Sequence, residues 1–69
     1  AAQTIGPRRD VVTADLVEAA HAVGLRVVPW TVNDVREMVA LIDLGVDGLV
    51  TDEPLLLREV AAGRVALAA

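Results

Sequence analysis

The sequence predicts an α/β fold in which three short parallel strands alternate with three helices, in the order β-α-β-α-β-α. Runs rich in Val, Ile and Leu alternate with stretches whose apolar residues recur at helical spacing, and each predicted helix ends at a glycine. The predicted connections are only a few residues long, which is typical of right-handed crossovers between parallel strands. The 69 residues allow at most one small domain.

The first predicted unit is a weak strand followed by an amphipathic helix. Residues 2–5 form the strand candidate, which the Gly6-Pro7 pair closes. Thr13 is expected to cap the helix, and Gly24 is expected to end it in a left-handed conformation. The apolar stripe of this helix consists of Leu16, Val17, Ala20 and Val23.

The second unit contains the strongest strand candidate, residues 25–32, which is apolar on both faces, as in a parallel sheet that helices cover. Pro29 lies inside it and cannot donate a ladder hydrogen bond, so an edge position or a local irregularity is expected. Asp34 begins the next helix with Glu37 at capping-box spacing, and Gly45 ends it. The stripe of this helix consists of Val35, Met38, Val39 and Ile42.

The third unit repeats the pattern in a shorter form. Residues 46–51 are a strand candidate that contains Gly48. Asp52 and Glu53 precede Pro54, and this order is typical of a helix start with proline in the first turn. The last helix is therefore predicted over residues 55–62, before Gly63.

The apolar content is high for so short a chain. Apolar residues make up 55% of the sequence. The sequence has no cysteine, which excludes a disulfide and a cysteine-based zinc site as sources of stability. Three strands leave two open sheet edges, and three helices cannot cover both faces of the sheet. We therefore expect a piece of a larger parallel α/β sheet or barrel, or a homo-oligomer if the chain is stable alone.

The charge balance narrows the classes of partner. Ten acidic residues and six arginines give a net charge of −4, and only Arg8 and Arg9 are adjacent. Nucleic acid is therefore not an expected partner, because its phosphates require clustered cations. No apolar run approaches the roughly 18–20 residues of a transmembrane helix. The first residues also lack a signal-peptide pattern, which favours a cytoplasmic location, although the sequence leaves the compartment open.

Functional residues of parallel α/β folds collect where the strands end. Trp30, the only aromatic residue, lies there, and packing and substrate contact explain it about equally well. Asn33 is a loop or helix-cap candidate. Asp52 and Glu53 are of the type that ligates Mg²⁺ or Ca²⁺, but a helix start explains them more simply. His21 has no second ligand or nucleophile at useful spacing, so a surface position is expected.

Two segments carry a resemblance to a known family. Residues 30–33 read WTVN, and residues 45–54 read GVDGLVTDEP. At this separation the pair resembles the C-terminal part of glycerophosphodiester phosphodiesterases. The resemblance extends from about Thr4 to Ala62 and includes the helix and glycine that precede the WTVN segment.

The resemblance implies a (β/α)₈ TIM barrel, of which this chain would form the last three βα units. The family hydrolyses glycerophosphodiesters to an alcohol and glycerol 3-phosphate, with a divalent cation (Mg²⁺ or Ca²⁺) and acid/base histidines. It implies that Trp30 lines the substrate pocket near the glycerol moiety. It also implies that Asn33, Thr51 and Asp52 shape the adjacent loops.

The catalytic and metal-ligand motifs of the family come from earlier strands and map onto no residue here, His21 included. No catalytic residue and no metal ligand is therefore assigned, and the chain alone is expected to be inactive. Its expected partners are the other barrel units or further copies of itself.

Two alternatives remain at this point. The open sheet edges and apolar surface would also suit a non-catalytic module that associates with itself. A different (β/α)₈ enzyme could place a phosphate site after its last two strands. That enzyme would be expected to have glycine-rich loops that open helices, and this sequence lacks them.

Overall fold

A computed structural model describes residues 3–63 of the chain as a small α/β unit with parallel strands. The strands are β1 (Gln3–Ile5) and β2 (Leu25–Val27), which pair in parallel with Ile5 opposite Val27. The helices are α1 (Ala14–Ala22), α2 (Val35–Asp43) and α3 (Pro54–Ala61), and a single 3₁₀ turn spans Arg9–Val11. Helix α1 packs on β2, and α2 packs on α3.

The two strands stay paired beyond the residues that form the regular ladder. The Val28 N–H donates to the Ile5 carbonyl at 3.0 Å, and the Trp30 N–H donates to the Pro7 carbonyl at 3.2 Å. Arg8 pairs with Trp30, which continues the register of Ile5 and Val27 and places Pro7 opposite Pro29. Pro7 has no N–H to donate to Val28, so one hydrogen bond of the ladder is missing at this step. The predicted strand over residues 25–32 is therefore regular only to Val27, and the irregularity expected at Pro29 is confirmed.

The segment of residues 46–51 follows β2 in parallel but does not form the regular third strand that was predicted. The Asp47 N–H donates to the Val27 carbonyl and the Val50 N–H to the Pro29 carbonyl, both at 2.9 Å. The step of three residues from Asp47 to Val50 therefore lies opposite a step of only two residues, from Val27 to Pro29. The physical cause lies at Pro29, which lacks the N–H that would bind the Asp47 carbonyl in a regular parallel ladder.

All three helices begin at their predicted cap or within one residue of the predicted start, but one predicted capping contact does not form. Thr13 caps α1, since its Oγ1 accepts a hydrogen bond from the Leu16 N–H at 3.1 Å. Pro54 lies in the first turn of α3, as predicted, and the helix begins there, one residue before the predicted start. Asp34 caps α2 through the Arg36 N–H at 3.4 Å, but Glu37 contacts Arg9 instead. The capping box predicted for Asp34 and Glu37 is wrong.

The helix ends agree with the prediction at all three glycines. Gly24, Gly45 and Gly63 have φ angles of 78°, 95° and 72°. These are left-handed conformations, in which a β-carbon would be strained. Each glycine therefore turns the chain directly after a helix.

The hydrophobic core consists of two adjoining clusters. One lies between α1 and β2 and contains Val17, Ala20 and Val27. The other lies between α2 and α3 and contains Val32, Met38, Leu41 and Val60. Val12, Leu44 and Val46 pack against both clusters and join them. The side chain of Met38 is fully buried.

Asp47 holds the start of the third segment through its carboxylate. Its Oδ2 accepts a hydrogen bond from the Val27 N–H at 2.7 Å and lies 2.8 Å from Nε2 of His21. The Val27 N–H, followed by His21, lowers the pKa of Asp47 below its usual value. His21 is exposed on α1, as predicted, and its contact with Asp47 is structural.

Truncation of Met38 is expected to destabilise the chain strongly. Met38→Ala removes a fully buried side chain and should lower the free energy of unfolding by about 2–5 kcal/mol. Leu55→Ala is the matched control, because Leu55 is 72% exposed, and it should change stability by less than about 0.5 kcal/mol. Urea denaturation followed by circular dichroism measures both. Equal effects of the two variants would contradict the described core.

The stability contributed by Asp47 is expected to depend on pH. Because the folded state lowers its pKa, the contribution is present above the usual aspartate pKa of about 4 and is lost as the pH falls through the lower, folded value. Asp47→Asn should therefore lower the melting temperature at pH 6, and the difference from the unsubstituted chain should shrink at pH 3. Thermal melts at both pH values measure this. A difference that is constant between them would refute the role of the carboxylate charge.

Candidate functional site at the carboxyl ends of the strands

The connections that follow β1, β2 and the third segment meet at one edge of the structure. Because the three segments are parallel, their carboxyl ends lie on the same side. Trp30 and Asn33 follow β2, Thr51 is the last residue of the third segment, and Asp52 follows it. Asn33, Thr51 and Asp52 are joined by hydrogen bonds, and Trp30 lies at the same end of the sheet.

Trp30 is fixed between two of these connections. Its indole Nε1–H donates to the Gly6 carbonyl at 2.6 Å, and its own carbonyl accepts from the Arg9 N–H at 3.0 Å. The peptide bond from Trp30 to Thr31 is cis. The side chain is nevertheless 45% exposed. It can therefore offer an apolar ring surface at a position that its hydrogen bonds define.

Asn33 joins the connection after β2 to the connection after the third segment. Its Oδ1 accepts from the Thr51 hydroxyl at 3.0 Å and from the Asp52 N–H at 2.9 Å. Its Nδ2 donates to Oδ2 of Asp52 at 3.2 Å. These contacts fix the orientation of the amide, because a flipped amide would place Nδ2 against the Asp52 N–H. We call these three residues the Asn33 cluster.

The cluster changes the interpretation of Asn33 and Asp52. Asn33 was predicted as a loop or helix-cap residue, but the cap of α2 is Asp34, and Asn33 bridges two loops. The Asp52 carboxylate contacts the Asn33 amide, and Glu53 is the residue before α3 without a side-chain cap. Neither carboxylate therefore acts as the cap that the sequence favoured.

The described residues do not form a complete cation site. Within residues 3–63, no three His, Asp or Glu side chains come close enough together to hold a metal ion. Asp52 already shares one carboxylate oxygen with Asn33. The carboxylates at this edge therefore do not by themselves fit a Mg²⁺ or Ca²⁺ ion, which takes about six or more oxygen ligands.

Arg9 and Glu37 belong to the same edge and were not predicted as site residues. Nη1 of Arg9 lies 2.7 Å from Oε2 of Glu37, so the ion pair joins the turn after β1 to the first turn of α2. The sequence did contain a signal, since Arg9 lies in the connection after β1 and Glu37 lies in the first turn of the helix that follows β2. Glu37 was assigned to the capping box instead, and Arg9 was considered only as the neighbour of Arg8.

Comparison with known proteins identifies the family. The sequence profile of the glycerophosphoryl diester phosphodiesterase family matches residues 2–56. The chain belongs to this family. The fold and the family together agree with a portion of a (β/α)₈ barrel, and the resemblance of the WTVN and GVDGLVTDEP segments is confirmed.

Two curated proteins are similar in sequence. One, from Mycobacterium tuberculosis, is named "Probable glycerophosphodiester phosphodiesterase 2" and is 43% identical over 54 residues, which are 78% of this chain and 20% of that protein. A glycerophosphodiester phosphodiesterase from Caldanaerobacter subterraneus is 42% identical over 40 residues, which are 58% of this chain and 16% of that protein. The chain thus spans about a fifth of the length of such relatives.

A solved structure agrees with these sequence matches. A crystal structure of a Silicibacter pomeroyi protein assigned as a glycerophosphoryl diester phosphodiesterase superposes with a TM-score of 0.85 at 38% identity. The match covers 88% of this chain and 20% of that one. Across residues 3–63, no helix is long and apolar enough to cross a membrane.

Loss of the Asn33 side chain is expected to loosen the edge of the sheet. Asn33→Ala removes three hydrogen bonds in an exposed cluster and should cost about 1–2 kcal/mol of unfolding free energy. Asn33→Asp should cost at least as much at neutral pH, because it sets a second carboxylate against Asp52. Chemical denaturation measures both variants. Arg8→Ala is the control, since it removes only an exposed ion pair, and an equal loss in that variant would refute the cluster's role.

Proposed function

We propose that this chain forms part of the substrate pocket of a glycerophosphodiester phosphodiesterase, which hydrolyses glycerophosphodiesters to an alcohol and glycerol 3-phosphate. The family match over residues 2–56 supports this reaction class. The single observation that carries the proposal is that Trp30 and the Asn33 cluster lie at the same end of the parallel segments. Active sites of (β/α)₈ barrels lie at that face.

Each residue of the site has a proposed role that follows from its contacts. Trp30 presents its partly exposed ring to the glycerol moiety, whose carbon atoms can pack against an apolar face. Asn33, Thr51 and Asp52 position the two loops beside that ring and take no part in bond breaking. A rigid pair of loops lowers the entropy lost when substrate binds.

The hydrolytic machinery is proposed to come from residues outside this sequence. The described edge holds no cation site and no histidine, because His21 lies on α1 in contact with Asp47. We propose that Mg²⁺ or Ca²⁺ and acid/base histidines act in the complete enzyme. The chain of 69 residues alone is therefore expected to be inactive.

The partner that supplies this machinery is proposed to pair with the free sides of the sheet. In the part of the chain that the structure describes, β1 pairs with β2 on one side only. An unpaired strand edge offers a row of N–H and C=O groups to a further strand. Other barrel units would satisfy that edge. A second copy of the chain is the alternative occupant, and light scattering of the purified chain distinguishes the two.

A chimaera tests the proposed function. Residues 2–56 of this chain replace the matching segment of the Mycobacterium tuberculosis relative, whose hydrolysis of glycerophosphoglycerol is first established with Mg²⁺ and with Ca²⁺. The chimaera is expected to release glycerol 3-phosphate, whereas the chain of 69 residues alone releases none. Release by the chain alone would overturn the assignment of the machinery to other residues. An inactive but folded chimaera would overturn the proposed pocket.

Substitution of Trp30 in that chimaera tests the proposed ring contact. Trp30→Ala should raise KM by about fivefold or more, since it removes both the ring surface and its hydrogen bond to Gly6. Trp30→Phe keeps an aromatic face and should retain most of the affinity. Steady-state kinetics measure both variants. An unchanged KM in Trp30→Ala would show that the ring does not contact substrate.

A further inference from the structure

The turn after β1 holds Trp30 by three hydrogen bonds. The Trp30 N–H donates to the Pro7 carbonyl at 3.2 Å, and its indole Nε1–H donates to the Gly6 carbonyl at 2.6 Å. The Trp30 carbonyl accepts from the Arg9 N–H at 3.0 Å. Both the main chain and the ring of Trp30 are therefore fixed relative to residues 6–9, so a displacement of this turn displaces the ring.

Apolar packing fixes the two ends of this segment but not the turn between them. Ile5 and Val12 are partly buried and pack against the cluster between α1 and β2. Of the six residues between them, Pro7 is partly buried and the other five are exposed. A segment with so few buried contacts opens easily unless polar contacts hold it. The position of residues 6–9 therefore depends on such contacts.

The Arg9 side chain ties the turn to helix α2. Nη1 of Arg9 lies 2.7 Å from Oε2 of Glu37, which is the distance of a charge-assisted hydrogen bond. Glu37 lies in the first turn of α2, where the positive end of the helix dipole favours a carboxylate. The next residue, Met38, anchors this turn of the helix in the core. The ion pair thus connects the turn that holds Trp30 to a helix that the core holds.

The neighbouring Arg8 provides a contrast. Its main chain also pairs with Trp30, but its side chain contacts Asp10 at 3.1 Å, two residues further along the same turn. That ion pair lies within the turn and does not connect it to α2. Arg8 and Arg9 therefore differ in the element that the side chain reaches, and Arg8 is the matched control for Arg9.

We propose that the ion pair between Arg9 and Glu37 positions the Trp30 ring for substrate binding, because it fixes the turn after β1 against helix α2. The inference rests on the proposed function, since it takes the ring to contact the substrate. Arg9 and Glu37 are positioning residues, and neither is assigned a contact with the substrate. Because exposed ion pairs contribute modestly, their removal should affect binding less than removal of the ring.

Hydrogen exchange of the Trp30 indole tests this positioning in the chain of 69 residues. Trp30 is the only tryptophan, so its Nε1–H gives a single indole resonance in the ¹⁵N NMR spectrum, and exchange with solvent requires its release from Gly6. Arg9→Ala and Glu37→Ala should each raise the exchange rate about two- to fivefold, the range expected for one exposed ion pair. The double variant should exchange no faster than either single variant, because all three lack the same contact. Arg8→Ala should leave the rate unchanged.

The Val27 amide separates positioning of Trp30 from a general loss of stability. Its N–H is bound to Asp47 in the core region and reports the opening of the sheet away from Trp30. An indole exchange rate that is unchanged in Arg9→Ala would overturn the proposal, whether or not exchange at Val27 is faster. An equal increase of the indole rate in Arg8→Ala would also overturn it, since that variant keeps the contact with α2.

Steady-state kinetics of the chimaera show whether the positioning serves substrate binding. Arg9→Ala in the chimaera should raise KM about two- to fivefold and leave kcat unchanged, because the pair acts on the ring and not on the reacting groups. An unchanged KM in Arg9→Ala beside a raised KM in Trp30→Ala would overturn the inference alone. An unchanged KM in Trp30→Ala would overturn the ring contact of the proposed function, and indole exchange would still decide whether the ion pair holds the ring.

Discussion

The missing N–H groups of Pro7 and Pro29 are the constraint on which the rest of the structure depends. Pro7 has no N–H to donate to Val28 in this register, so the ladder between β1 and β2 loses a bond where the strands approach the functional edge. Pro29 also withholds a donor from the third segment, which shifts its pairing by one residue. Beyond this step, side chains as well as backbone groups hold the structure. The indole of Trp30 binds Gly6, and the amide of Asn33 binds Asp52.

The third segment shows how such side chains replace a regular ladder at both of its ends. At its start, the Asp47 carboxylate accepts the Val27 N–H and contacts His21. At its end, Asn33 binds the Asp52 main chain. Both are directional contacts, and a shift of one residue would break both together. The polar residues thus set the register that the proline-interrupted backbone leaves weakly defined.

The sequence predicted those parts of the fold that local chemistry decides. Thr13 and Pro54 begin helices, and Gly24 and Gly45 end them, because caps and φ angles depend on neighbouring residues. The third strand and the capping box were wrong for a common reason. Pairing at Pro29 depends on the register of a distant segment, and the partner of Glu37 is Arg9, 28 residues away. The position of Trp30, Asn33 and Asp52 at one end of the sheet followed from the parallel order alone, whereas their hydrogen bonds depend on how the loops approach each other in three dimensions.

One consequence follows from Trp30 being the only aromatic residue of the chain. The aromatic absorption and fluorescence of this chain in the near ultraviolet must therefore come from Trp30, in the candidate site. The half-exposed indole, with its Nε1–H bound to Gly6, is sensitive both to solvent at its face and to the separation of two loops. Tryptophan fluorescence of this protein therefore reports changes around Trp30 at the candidate site and does not report directly on the packing of the helical core.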